Sequence, residues 1–186
     1  MNKVNGKRLG IAAIVTLCVI IAALITLIIL ESTGALYPDD DETVITPPQR
    51  ADGAAVTEGD YTFALLTDGT VMITNCTLPA ETVEINVPDM LGGRRVSAIG
   101  ESAFALISDM QTVRIPEGVT YIGGNAFFGA LNARLYLPSI IQQIDKNAFA
   151  GFDEPAGVYF AGSASQWSEV RIGDGNAALA RVVCNG

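Results

Sequence analysis

A chain of 186 residues suffices for one domain with accessory segments, and its formal charge of −9, from 20 acidic and 11 basic residues, argues against nucleic acid as a partner, because phosphates need Lys and Arg. It contains no histidine, which removes His-based triads, most general acid–base pairs and most transition-metal sites. Its three cysteines, Cys18, Cys76 and Cys184, make neither a disulfide framework nor a CxxC redox pair nor a zinc cluster.

Ile11 to Leu30 form an apolar run broken only by Thr16, Cys18 and Thr26, without charge, Pro or Gly. About twenty residues at ~1.5 Å each span the ~30 Å hydrocarbon layer, and a helix satisfies its own backbone in lipid. Residues 11–30 are therefore read as one transmembrane α-helix in contact with the bilayer. Cys18 is a small apolar residue within it. Lys3, Lys7 and Arg8 precede the run, whereas Glu31 and the cluster Asp39 to Glu42 follow it. The positive-inside rule keeps residues 1–10 as a cytoplasmic tail and places the remainder outside. A cleaved signal peptide, giving a secreted protein, is the alternative. Thr33-Gly34-Ala35 has the small residues of a cleavage site, but the run exceeds the ~7–15 residues of a signal core.

Residues 31–60 read as an acidic, Pro-containing linker, with eight acids against Arg50 alone and with Pro38, Pro47 and Pro48. Such a segment buries too little apolar surface to offset its ordering entropy. Asp39-Asp40-Asp41-Glu42 reads as a solvated spacer, since a calcium loop spaces its ligands around a turn with a Gly. No metal or cofactor is expected.

From Tyr61 the pattern changes, and residues 61–186 are expected to form the folded domain. Thr67-Asp68-Gly69 between YTFALL and TVMIT predicts a β-hairpin, with Phe63/Leu65 and Val71/Ile73 alternating and Cys76 just past the second strand.

Three segments then repeat one phrase: Ile99-Gly100-Glu101-Ser102-Ala103-Phe104, Ile122-Gly123-Gly124-Asn125-Ala126-Phe127 and Ile144-Asp145-Lys146-Asn147-Ala148-Phe149. A second phrase alternates with it: Ile85-Asn86-Val87-Pro88, Val113-Arg114-Ile115-Pro116, Leu135-Tyr136-Leu137-Pro138 and the proline-free Val158-Tyr159-Phe160. The steps are 23 residues from Phe104 to Phe127, 22 from Phe127 to Phe149 and 22 from Pro116 to Pro138, which predicts a solenoid. Alternation makes the second phrase a short strand that the proline ends. A bend follows, carrying Val119 or Ile141. The Ile-Gly phrase is expected to turn the chain, with Ala-Phe on a short helical turn that Asn125 and Asn147 cap. Phe fills the space between layers.

Coils of equal length stack their strands in parallel, so Arg114, Tyr136 and Tyr159 are expected to form a row on the exposed face. A cation beside two amphipathic aromatics is the residue mix of binding hot spots, and these three are the candidate ligand-binding residues. Exposed strand positions also favour Tyr for purely structural reasons. Toward the C-terminus, Trp167, Val170 and Ile172 read as the cover of the last coil, and Val182-Val183 as a closing strand.

The Ile-Gly-x-x-Ala-Phe phrase, the apolar-x-apolar-Pro strand and the ~22-residue step resemble the BspA-like, Treponema-type leucine-rich repeats over roughly residues 61–186. Tyr159-Phe160-Ala161-Gly162-Ser163, Gln166-Trp167, Ile172-Gly173, Asn176 and Leu179 are similar to a unit that closes such arrays, and DGTVMIT to one that opens them. The resemblance implies a mostly β leucine-rich-repeat solenoid of short parallel strands with short helical turns, opened by a hairpin cap. It also implies a bacterial surface protein concerned with adhesion or protein binding. Asp145 departs from the Gly of the phrase.

No catalytic residue emerges. Gly92-Gly93 and Gly123-Gly124 lack the Lys of a phosphate loop, and no carboxylate pair is singled out by context. The expectation is a binding protein, not an enzyme, displayed on the cell membrane toward a protein or glycan at the cell surface, with no small-molecule substrate. The alternative is an accessory envelope protein whose repeats pack against a membrane partner.

Overall fold

The computed structural model describes residues 46–105, 107, 109–129, 133–152 and 157–186. The expected tail, the apolar run 11–30 and the acidic cluster 39–42 lie outside them. Among the described residues, no helix is long and apolar enough to cross a membrane.

The described domain opens on three antiparallel strands: β1 (Val56–Glu58), β2 (Tyr61–Leu65) and β3 (Val71–Cys76). The Asp68 carboxylate accepts from the Thr70 amide at 2.9 Å and hydroxyl at 2.6 Å, and Gly69 takes φ +85°, so the turn signal works through both residues. Cys76 is the last residue of β3 rather than the next one. Two further details depart from the reading of the sequence. Residues 56–58, inside the expected linker, form β1; all three are exposed, so pairing with β2 supplies the order and no apolar pattern signals it. Phe63 is buried while Leu65 is exposed, because Leu66 takes the inward place at the hairpin end.

β4 (Glu84–Asn86) starts the repeats, and β5 (Met90–Leu91) then turns through Gly92 and Gly93, both at positive φ, into β6 (Arg94–Ile99). A side chain at Gly92 would meet the Phe63 ring at 2.9 Å, so this turn also locks onto the opening hairpin.

The coils that follow contribute β7 (Thr112–Arg114), β8 (Tyr121–Ile122), β9 (Arg134–Leu137), β10 (Gln143–Ile144) and β11 (Gly157–Phe160). Helix α1 (Ala164–Ser168), β12 (Arg171–Ile172), a 3₁₀ helix (Ala177–Arg181) and β13 (Val182–Cys184) complete the domain. Strands β4, β7, β9, β11 and β13 form one parallel sheet; β3, β6, β8, β10 and β12 continue a second one from the hairpin.

The Ile-Gly phrase is thus itself a strand end, not only a turn. Ile73, Ile99, Ile122, Ile144 and Ile172 share one register and build an inward ladder. Two residues per strand are too few for alternation to be visible in sequence. Facing them are two inward rows of the five-stranded sheet: Ile85, Val113, Leu135 and Val158, then Val87, Ile115, Leu137 and Phe160. Pro116 and Pro138 end their strands and accept from Val119 and Ile141, whose side chains turn inward as the bend was expected to require.

A third side of each coil is a tight turn. Ala103, Ala126 and Ala148 donate three residues back, to Gly100, Gly123 and Asp145, so these segments are turns and not helices. Asn125 and Asn147 do not cap a helix. They take φ +55° and +59°, as Ser102 takes +56°, and the fourth copy has Gly175 there at +78°. Asn tolerates the left-handed region that most L-residues avoid. The aromatic rings stack behind these turns. Phe104 and Phe127 lie 4.9 Å apart, Phe127 and Phe149 5.4 Å, both nearly parallel.

At the far end, the Ser163 hydroxyl and the Gln166 side chain form a reciprocal capping box that starts α1. Trp167 packs on Phe160 at 5.1 Å, and Val170 is partly buried beside it, so both serve as cover. Ile172 does not. It is 40% exposed, because it ends the isoleucine ladder with no coil above it.

Candidate functional site

The outward side of the five-stranded sheet is set by the same alternation that fills the core. With Val113, Leu135 and Val158 inward, Arg114, Tyr136 and Tyr159 must point outward. Equal registers place them in one row, flanked by Asn86 and Val183. The structure therefore brings all three sequence-predicted residues together on neighbouring strands.

Their side chains contact one another along the row. The Arg114 guanidinium carbon lies 5.0 Å from the centroid of the Tyr136 ring. The Tyr136 and Tyr159 rings stack with centroids 5.1 Å apart and planes 16° apart, close to the ~4.8 Å spacing of the strands that carry them. Each contact stabilises by about 0.5–1.5 kcal/mol at an exposed site, enough to bias rotamers but not to carry the fold.

Two further residues shape the row. Glu84 on β4 forms an ion pair with Arg114. Both side chains are about half exposed, at 47% for Arg114 and 55% for Glu84, so solvent screens the pair and its main effect is to orient the guanidinium. Gly157 makes room for Tyr159, since a Cβ there would fall 2.7 Å from the ring. Neither was singled out from sequence. Glu84 lies one residue before the Ile85-Asn86-Val87 phrase, so the strand register would have marked it. Gly157 becomes meaningful only once the lean of the Tyr159 ring is known. The result is a preset strip in which ion pair, cation and two rings follow one another, about half-buried on their own sheet.

A second, more open feature lies on the other sheet. The Tyr121 hydroxyl donates to Asp145 at 2.5 Å, and the Gln143 amide donates to the same carboxylate at 2.6 Å. Asp145 is the one copy of the Ile-Gly phrase with a side chain, and these two donors take it up. An open groove of about 450 Å³ runs past Tyr121 and Asp145, lined also by Glu101, Asn125 and Lys146. Burial, and then the Asp145 hydrogen bond, push the Tyr121 phenol well above its ordinary value. The tyrosine therefore acts here as a neutral hydrogen-bond donor.

Cys76 is buried at one end of the domain and Cys184 belongs to the last strand, and both are free thiols. Burial raises the Cys76 thiol above its ordinary value, which makes it unreactive.

Residues 73–168 match a family model described as BspA type leucine rich repeat region, in six copies. Similar solved structures include a leucine rich cell surface protein from Faecalibacterium prausnitzii A2-165, with 30% identity and a TM-score of 0.51. That match covers 59% of this chain and 30% of the Faecalibacterium chain, so this chain spans under a third of that protein's length. A leucine-rich repeat protein from Bacteroides capillosus ATCC 29799 is 26% identical with a TM-score of 0.55, over 72% of this chain and 100% of its own. No curated protein matches the sequence.

Proposed function

The chain belongs to the BspA-type leucine-rich repeat family, and from that premise we propose that it is a bacterial surface protein that binds another protein through the outward row of its five-stranded sheet. The observation that supports this most is the stack of Arg114, Tyr136 and Tyr159. These groups are held in place before any partner arrives, and preorganised aromatic and arginine side chains lose little freedom on binding. We read the row as binding without catalysis, since its one cation is engaged by Glu84 and the Tyr136 ring. We place the repeats outside the cell, held by residues 11–30 with the N-terminus in the cytoplasm. The apolar run and its charge flanks support that topology.

The test uses the full chain in nonionic detergent against a panel of surface proteins, matrix proteins and glycans. The comparison is a triple variant, Arg114→Ala, Tyr136→Ala and Tyr159→Ala, shown by circular dichroism to remain folded. A protein ligand captured by the wild type and lost by the variant is the expected result. A ligand that the variant keeps would move the site elsewhere, and a wild type that captures nothing would favour the accessory-protein role. Fractionation of cells expressing the chain checks the anchor. Protein in the membrane pellet, with repeats open to external protease, is expected, whereas processed protein in the medium would establish secretion.

A further inference from the structure

The charge on this face is opposite to that of the chain. The protein has 20 acidic and 11 basic residues. Among the described outward positions of the five strands, the only carboxylate is Glu84, and it is already paired with Arg114. Two more arginines are exposed beside the rings. Arg134 lies two residues before Tyr136 on the same side of β9, and Arg181 directly precedes Val182, the partner of Val158. Neither has an ion-pair partner among the described residues. Acidic residues return in the segments leading into the strands, at Glu81 and Asp109 and, by sequence, at Asp153 and Glu154 before β11.

The apolar part of the face is also unfilled on one side. Tyr136 has Arg114 on one side of its ring and Tyr159 on the other. Tyr136 is the one ring partner of Tyr159 among the described residues. The register neighbour of Tyr159 on β13 is Val183, which is 51% exposed. An aromatic ring beside an open valine, with an exposed arginine on β9 and another before β13, is a seat for an apolar side chain with acidic neighbours.

We infer that the segment this face recognises is an acidic stretch of a protein partner. Its Asp or Glu side chains meet Arg134 and Arg181, and an apolar residue between them packs on Tyr159 and Val183. This rests on the reading of the strand face as the binding face. The charge balance selects the class of ligand. A long polyanion such as a sulfated glycan would extend past the arginines onto an otherwise acidic molecule and be repelled. A short acidic segment would not, and a sugar polymer gains little from an exposed valine.

The experiment measures fluorescence anisotropy of a labelled twelve-residue peptide, a repeat of Glu-Thr-Val, with the full chain in nonionic detergent at low ionic strength. The same peptide with Lys for Glu, and heparin, are the comparison ligands. The Glu peptide is expected to bind, to weaken with added salt, and to lose at least about tenfold in affinity in the double variant R134E/R181E, as two exposed charges imply. A double variant with the same charge change on the other sheet, R94E/R95E, is expected to bind as the wild type does. Equal weakening in both double variants, equal binding by the Lys peptide, or binding of heparin but not the Glu peptide would each overturn the inference. The two readings fail separately. If the triple variant loses a protein ligand from the panel but no acidic peptide binds, the face stands and its acidic partner does not. If the triple variant keeps that ligand, the face itself is wrong.

Discussion

The side-chain carbonyl of Asn176 accepts the backbone N–H of Phe149 at 2.9 Å, in the place where a backbone carbonyl serves each earlier coil. Phe104 donates to Ala126 and Phe127 to Ala148, both at 2.8 Å. At the last coil one side chain replaces that backbone group, and its amide also donates to the carbonyls of Asp145 and Gly173 at 2.8 and 2.7 Å. Asn176 is the one buried polar residue in the described core. Replacing it by Ala leaves several polar groups without partners, at about 1–3 kcal/mol each before water re-enters. Asn176→Ala should therefore destabilise the domain by about 2–4 kcal/mol in urea unfolding. A loss under about 0.5 kcal/mol would show that water replaces the side chain.

Adjacent phenylalanines should behave as opposites. Phe127 is fully buried between the Phe104 and Phe149 rings, whereas Phe128 is 51% exposed. Phe127→Ala should cost about 3–5 kcal/mol, from lost burial and the cavity left in the stack. Phe128→Ala should change stability by less than about 0.5 kcal/mol. Similar losses in both variants would mean the stack is not the centre of the core.

Left-handed backbone at Asn125 makes another testable demand. Asn125→Val forces a β-branched residue to φ +55° and should destabilise by about 1–2 kcal/mol, while Asn125→Gly should be neutral within a few tenths. The converse change, Ser102→Asn, should stabilise slightly, since Ser102 holds the same conformation with a less tolerant side chain. Thermal unfolding of the three variants would order them, and a stable Asn125→Val would rule out the strain.

Alkaline pH should weaken the fold partly through Tyr121. A raised phenol value means the native state favours the neutral, protonated form. The stability this contributes is complete below about pH 10, the unfolded value, and falls as pH rises beyond it. Tyr121→Phe cannot ionise. It should be less stable at pH 7 by about 1 kcal/mol for the lost hydrogen bond to Asp145. Above pH 10 its stability should fall less steeply than that of the wild type. Parallel curves for the two proteins would remove Tyr121 from the alkaline transition. Tyr61 and Cys76, whose values burial also raises, are common to both and cancel.

Legibility in the sequence followed the length of each pattern. Val113-x-Ile115 and Leu135-x-Leu137, repeated at equal steps, were enough to read strands, register and the row of Arg114, Tyr136 and Tyr159. Tyr121-Ile122 and Gln143-Ile144 were not, because a two-residue strand has no period. Asn125 and Asn147 invited a capping reading, since the same side chain suits a helix start and a left-handed turn, and only φ separates the two. Within the site, Glu84 and Gly157 were missed for different reasons. Glu84 reaches its place through pairing between strands, and Gly157 acts by lacking atoms. Asn176 resembled the alanines of the other copies in position but not in role, which emerges only where the ladder ends.

The shared register of the outward row also has an evolutionary consequence. Each coil adds one residue to that row, one strand spacing of ~4.8 Å from the last. Duplicating a single 22-residue unit would lengthen the contact strip by one rung and leave every earlier rung in place. Partner choice in such a scaffold is tuned by copying and editing rungs, with no loop to be redesigned and no core to be repacked.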